Sequence, residues 1–297
     1  MNSRTKGILC ILASAFCFAV MNVFVRLAGD VPSIQKSFFR NLVAAVFALI
    51  MLLKELKAGQ KIAIKKEQLP YLLLRSAFGT IGILCNFYAV DHLVLSDASM
   101  LNKMSPFFAI IASYFVLKEK ITPVQGGAVI AAFIGALFII RPTLSNMDLV
   151  PSMIGLLGGV GAGAAYTMVR LLGQKGTHKT LIVLFFSTFS CLCVLPFILM
   201  DFYPMTTVQL LCLIAAGLSA AGGQFAVTSA YVYAPAKEIS VYDYSQVIFS
   251  AFLGFFIFDQ IPDGLSIIGY LLICGTAVAM FIYNRRRDKK TLSVKAE

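Results

Sequence analysis

In so apolar a chain, the side chains able to do chemistry are few enough to name. Lys103 lies about one and a half to two turns into a long hydrophobic segment. Asp243 lies at similar depth in another segment, 140 residues further on. A charge at the centre of a bilayer costs about 2.5–3.5 kcal/mol on insertion scales, so each is a functional candidate. Facing a cavity, Lys103 would bind an acidic group; facing lipid, it would snorkel to the headgroups. Asp243 leaves room for an amine. Arg40, beside Asn41 near a segment end, reads either as an interfacial anchor or as a bidentate carboxylate clamp. Asn22 shares a helical face with Arg26 and lies deeper. Tyr242 and Gln246 share another face, next to Asp243. With Asn86, Tyr166 and Gln224, the candidate substrate-binding set is Asn22, Arg40, Asn86, Lys103, Tyr166, Gln224, Tyr242, Asp243 and Gln246. Arg26 reads as interfacial, and Arg75 as an anchor nearer the inner surface.

Other chemistries lack their residues. The seven cysteines all fall in apolar runs, none forms a C-x-x-C, and they read as small buried hydrophobes. With no Cys/His cluster, no metal and no cofactor is expected. There is no H-E-x-x-H, G-x-S-x-G or paired carboxylate, so catalysis has no machinery and the chain does not read as an enzyme. The five glutamates, Glu55, Glu67, Glu119, Glu238 and Glu297, fall in connections or the tail. Asp97 and Asp243 are the carboxylates that fall inside the apolar segments, so proton coupling has little support.

The elements that position these residues follow from composition. Of 297 residues, 59% are hydrophobic and 13% charged, against about 45–50% and about 25% in soluble domains. Mean hydropathy is +0.85. Too few polar residues exist to cover a soluble surface, so the outer surface meets lipid. Ten apolar segments are long enough to span a bilayer: residues 7–27, 37–53, 69–90, 97–117, 123–140, 151–172, 180–199, 207–230, 240–258 and 264–283. The first runs past the length of a signal-peptide core and is read as a retained helix. Connections are short, which leaves no soluble domain and no tail large enough for a scaffold.

Net charge is +11, and its placement explains it. With the amino terminus inside, 19 of the 25 Lys and Arg fall in inner connections and termini, and two, Lys36 and Arg141, fall in outer ones. The positive-inside rule then places both termini in the cytoplasm. The run from Arg285 to Lys290 is a juxtamembrane anchor, and nucleic-acid binding is unnecessary.

The chain also repeats itself. At a shift of 140, Ser105 meets Ser245, Phe115 meets Phe255, Gly135 meets Gly275, and Lys103 meets Asp243. At 141, Gly82 meets Gly223 and Ala89 meets Ala230. Residues 1–145 and 146–297 therefore hold five segments each, and five is odd, so the halves enter the membrane in opposite senses. The expected fold is an all-α integral membrane protein of ten transmembrane helices in two inverted five-helix repeats. Such repeats form transporters with a midplane site between the halves.

Ser37-Phe38-Phe39-Arg40-Asn41 opens the second segment, and Phe87-Tyr88-Ala89 closes the third. Pro106-Phe107-Phe108 and Leu117-Lys118-Glu119-Lys120-Ile121 mark the fourth, with Phe258-Asp259-Gln260-Ile261 as a degenerate second copy. In these motifs the chain resembles the EamA-type branch of the drug/metabolite transporter superfamily, over about residues 7–283. Gln246 stands where the resemblance implies a proline opposite Pro106, and Asp259 where it implies Glu. The resemblance implies carrier activity and leans to export, without a substrate. Lys103 and Arg40 favour an acidic group, Asp243 an amine, and Tyr88, Tyr166 and Tyr242 a ring or methylenes. An amino acid or similar zwitterion fits all three; a nucleotide-like or vitamin-like metabolite is the alternative. The expected partners are that small molecule and the lipid bilayer of the cytoplasmic membrane, with the protein a monomer or homodimer.

Overall fold

The computed structural model describes residues 2–60, 62–92, 101–140, 149–258 and 264–294. Asp97, Arg141, Asp259 and Glu297 lie outside them. Eleven helices are described: α1 (Ser3–Leu27), α2 (Ser33–Lys57), α3 (Leu69–His92), α4 (Ser105–Leu117), α5 (Pro123–Ile140), α6 (Leu149–Gln174), α7 (Lys179–Met200), α8 (Thr207–Tyr233), α9 (Ala236–Asp243), α10 (Ser245–Phe258) and α11 (Gly264–Val294). Among the described residues there is no strand. Seven stretches, one of them running through α9 and α10, are long and apolar enough to cross a membrane. Ser105–Leu117, Pro123–Phe138 and Ile267–Tyr283 are shorter apolar helices.

Helix ends are set locally. Gly29, Gly59 and Gly176 take positive φ just beyond α1, α2 and α6, the left-handed turn that a side chain resists. Thr206 caps α8, accepting from the Gln209 N–H while the Gln209 side chain reaches back, a reciprocal capping box. Pro123 opens α5, where its missing N–H costs nothing.

Burial is inverted relative to a soluble protein. Ala15, Ala19, Ala48, Ala109, Ala132 and Ala230 are buried, whereas Phe115, Leu192, Phe252 and Leu271 face outward. Small residues let helices approach where lipid supplies no hydrophobic drive. A Cβ on Gly163 of α6 would lie 2.6 Å from the Ala109 nitrogen of α4, and one on Gly161 would lie 2.8 Å from the Phe78 carbonyl of α3. The glycines of α6 thus seat two neighbours on two faces. The cysteines differ from expectation. All seven are free and none is fully buried: Cys193 and Cys274 are exposed, on faces that lipid would cover, and the other five are half-buried.

Packing runs mostly between the two halves of the sequence. α1 packs on α8, α3 on α6, α2 on α7, α5 on α11, α4 on α6 and α1 on α10.

Two apolar segments are interrupted. Leu101 and Asn102 are helical, Lys103 and Met104 form a turn, and α4 starts at Ser105. In the second half α9 stops at Asp243, Tyr244 forms the joint, and α10 starts at Ser245. Residues 240–258, expected as one helix, are therefore parts of two. The freed backbone is satisfied on the spot: Ser245 Oγ donates to the Tyr242 carbonyl at 2.7 Å, and Tyr244 Oη donates to the Lys103 carbonyl at 3.0 Å. The last helix runs to Val294, past the expected end at Tyr283.

Candidate functional site

A cavity of about 450 Å³ opens between the halves, a size that suits a small molecule. Its wall is drawn from α1, α2, α3, α6, α7, α8 and the two interrupted segments. On α1 and α10 the lining residues, from Phe18 to Arg26 and from Gln246 to Phe258, run out to the ends of the helices where α1 finishes. At that mouth the Arg26 guanidinium stands 4.5 Å from the Phe258 ring centre. Asn22, Arg40, Asn86, Lys103, Tyr166, Gln224, Asp243 and Gln246 all line the cavity.

Tyr242 does not line it. The joint at Tyr244 breaks the helical phase, so Tyr242 and Gln246 no longer share a face. Tyr242 is 5% exposed, and its hydroxyl is buried with no hydrogen-bond partner among the described residues. Tyr88 is also outside the lining; its ring stacks on His92 at 4.0 Å.

The two interruptions bring their charges together. Lys103 Nζ lies 3.4 Å from Asp243 Oδ2 and donates to Gln246 Oε1 at 2.7 Å. Lys103 is 7% exposed. Its ammonium is held by side chains of the other half, so it does not reach for headgroups. The pair forms a nearly neutral, hydrogen-bonded patch on the wall.

Arginines carry the remaining charge. Arg75, read from sequence as an interfacial anchor, is 2% exposed and lines the cavity. It starts low on α3 but runs up its own helix. Gly79, one turn on, has no Cβ and leaves the space that the guanidinium and Phe186 occupy. The guanidinium carbon is 4.0 Å from the Phe186 ring centre, and Nε is buried without a hydrogen-bond partner among the described residues. Arg40 donates Nε to Met21 Sδ at 3.3 Å and Nη1 to Asn41 Oδ1 at 3.3 Å. Asn41 is fixed in turn by donating to Ser190 Oγ at 3.0 Å. Among the described residues no carboxylate pairs with Arg40 or Arg75. Of the ionisable side chains Arg26, Arg40, Arg75, Lys103 and Asp243 in the lining, four are cations and one is an acid. Tyr166 stacks on Tyr231 with ring centres 4.7 Å apart.

The opposite end, where α1 begins, is held shut by links between the halves. Arg4 grips Glu238 with Nε to Oε2 at 2.6 Å and Nη2 to Oε1 at 3.0 Å. Arg170 Nε meets Glu119 Oε1 at 3.4 Å, and its Nη1 donates to the Val232 carbonyl at 2.9 Å. Lys237 donates to the Lys120 carbonyl at 2.6 Å, and Thr180 to Glu55 Oε1 at 3.1 Å. At the other end Gln35 clasps the Tyr203 backbone at 2.8 and 3.0 Å, but neither residue lines the cavity.

Comparison with known proteins decides the family. The profile of the EamA-like transporter family matches residues 5–141. A pseudopaline exporter, CntI, of Pseudomonas aeruginosa is 32% identical over 277 residues, covering 93% of this chain and 95% of that protein. The chain belongs to the EamA-like transporter family. It is therefore a multi-pass membrane protein of a transporter family and not an enzyme. This family member is also 28% identical to a riboflavin transporter of Vibrio cholerae, with 97% of each chain covered. A crystal structure at 15% identity superposes with a TM-score of 0.81 over 95% of this chain and 98% of that one, which shows a shared fold.

Sequence reasoning missed two features of this transporter. Position along the segment makes Arg75 an anchor near the inner surface, and only the vacancy at Gly79 shows where its guanidinium goes. Glu238 was read in a connection but is 7% exposed in the first turn of α9. The signal available was its position two residues past Ala236, at a helix amino terminus where a carboxylate is favoured.

Proposed function

We propose that this protein is a secondary transporter that exports a small polar metabolite, an amino acid or similar zwitterion, across the cytoplasmic membrane by alternating access. The observation that carries the reading is the cavity. It sets polar and charged side chains into a largely apolar wall, it lies between residues 1–145 and 146–297, it reaches one end of the bundle, and at the other end ion pairs join the halves. Such a shape describes one state of a carrier, with the charged connections of the closed end facing the cytoplasm. Asn22, Arg40, Asn86, Lys103, Tyr166, Gln224, Asp243 and Gln246 would form the binding surface.

The packing pattern supports ten helices in two inverted repeats. Counting each interrupted segment as one, exchange of the halves converts the first segment on the eighth into the sixth on the third, and the first on the ninth into the sixth on the fourth. It leaves the second on the seventh and the fifth on the tenth unchanged. Each of these pairs is in contact. The exporter name of the Pseudomonas relative supports the outward direction. Transporter names on both relatives support a small-molecule cargo.

Purified protein screened by thermal shift against a metabolite panel should reveal stabilising amino-acid-like ligands, and proteoliposomes should then move them. Absence of both stabilisation and flux across the panel would sink the reading. In intact cells a membrane-impermeant thiol reagent should label Asp30→Cys and Asp201→Cys, and spare Gln60→Cys and Lys175→Cys. The reverse pattern would overturn the orientation.

A further inference from the structure

We infer that the cavity selects a small molecule carrying two anionic groups, one met by Arg75 and the other by Arg40, with the Lys103–Asp243–Gln246 patch facing its polar remainder. This deepens the transporter reading of the same cavity and rests on it.

The argument is one of charge balance. Lys103 has Asp243 at 3.4 Å and Gln246 at 2.7 Å, so its charge is answered by protein. Arg40 and Arg75 have no such answer among the described residues. Arg40 is bound to a thioether and a neutral amide oxygen. Arg75 has one face on the Phe186 ring, and its Nε, fully removed from solvent, makes no hydrogen bond. A guanidinium left this way in a low-dielectric site attracts an anion strongly, and its planar fork suits a carboxylate bidentately.

Arg40 and Arg75 line one cavity together, and the acid in its lining, Asp243, is held by Lys103. The mutual repulsion of the arginines is relieved by two negative charges and only half relieved by one. The site is also built rather than incidental. Gly79 vacates the volume that the Arg75 guanidinium fills, and the chain from Ser190 through Asn41 fixes Arg40. Arg26 at the mouth adds a further cation on the entry path.

The test uses the purified full-length protein in detergent, with thermal shift and calorimetric titration. The probes are succinate, glutarate and adipate, their mono-amides, and glycerol 2-phosphate. Dicarboxylates should bind about ten- to a hundredfold tighter than their mono-amides, the worth of one charge-assisted contact. Arg75→Gln and Arg40→Gln should each erase that preference, and Gly79→Ala should weaken it by displacing the Arg75 guanidinium. If Arg75→Gln does not fold, Arg40→Gln and Gly79→Ala carry the test. Tighter binding of glycerol 2-phosphate than of any dicarboxylate, lost in the same variants, would assign both charges to one phosphate and overturn the two-group reading. Equal binding of diacids and mono-amides, or wild-type preference in both arginine variants, would overturn the inference. Failure of the transporter reading is separable: dianions would bind in these titrations while proteoliposomes showed no flux. Conversely, flux of neutral or monoanionic solutes unaffected by Arg75→Gln would keep transport and discard the dianion.

Discussion

At the scale of single residues, Lys103 and Asp243 show how depth decides meaning. Each sits part-way into an apolar segment, and each alone would be expensive in lipid. Paired at 3.4 Å, with Gln246 completing the ammonium's contacts, they are held in the wall of the cavity. Lys103→Gln should weaken transport by roughly ten- to more than a hundredfold, the value of a charge-assisted hydrogen bond, while membrane insertion is unchanged. Flux assays with surface-expression controls measure both. Lys103→Gln transporting as well as wild type would show that the pair is structural only. Sequence brought both residues to notice but could not pair them, because they were counted inward from opposite surfaces. Arg75 failed for a related reason: a long side chain carries its charge about a turn away from its own Cα.

At the scale of elements, the interruptions before α4 and between α9 and α10 matter most. Each releases backbone groups inside the bundle, and each is repaired by a side chain. Tyr244 Oη donates to the Lys103 carbonyl across the two breaks. Tyr244→Phe would leave that carbonyl unpaired and should cost about 1–3 kcal/mol of stability, read as a lower melting temperature in detergent. No change in melting would mean that the breaks do not depend on one another. The glycines of α6 give a second test by contrast. Gly163→Ala would press a methyl to 2.6 Å from the Ala109 nitrogen, whereas nothing lies within 4 Å of a Cβ on Gly127. Gly163→Ala should destabilise by about 1–3 kcal/mol through overpacking. Gly127→Ala should be neutral, or stabilise by up to about 1 kcal/mol through helix propensity. The helices themselves were legible from apolar run length alone. The break before α4 has a local signal in Pro106, which lacks the N–H that would continue the preceding turn; the joint at Tyr244 carries no breaker residue, and tertiary contacts hold it.

At the scale of the whole molecule, the closed end should work as a gate. Arg4 with Glu238 and Arg170 with Glu119 each join one half to the other. Removing a partner, as in Glu238→Gln, should favour opening on that side. A reporter cysteine at Gln224, in a background without the native cysteines, should then gain labelling in inside-out vesicles and lose it in intact cells. The exchange Arg4→Glu with Glu238→Arg should restore the original pattern. Unchanged labelling in Glu238→Gln would show that the pair does not hold the end shut. The sequence by itself determined that the chain is a helical membrane protein, and it marked polar residues that lie too deep for lipid. Those properties follow from run length, charge placement and the cost of burying a charge, all of which are local. Tertiary structure alone decided that Lys103 finds Asp243, that Tyr242 turns away from the cavity, that Arg75 reaches it, and that ion pairs close one end. The pairings join residues far apart in the chain, 140 positions for Lys103 with Asp243 and 234 for Arg4 with Glu238, and no local pattern encodes them.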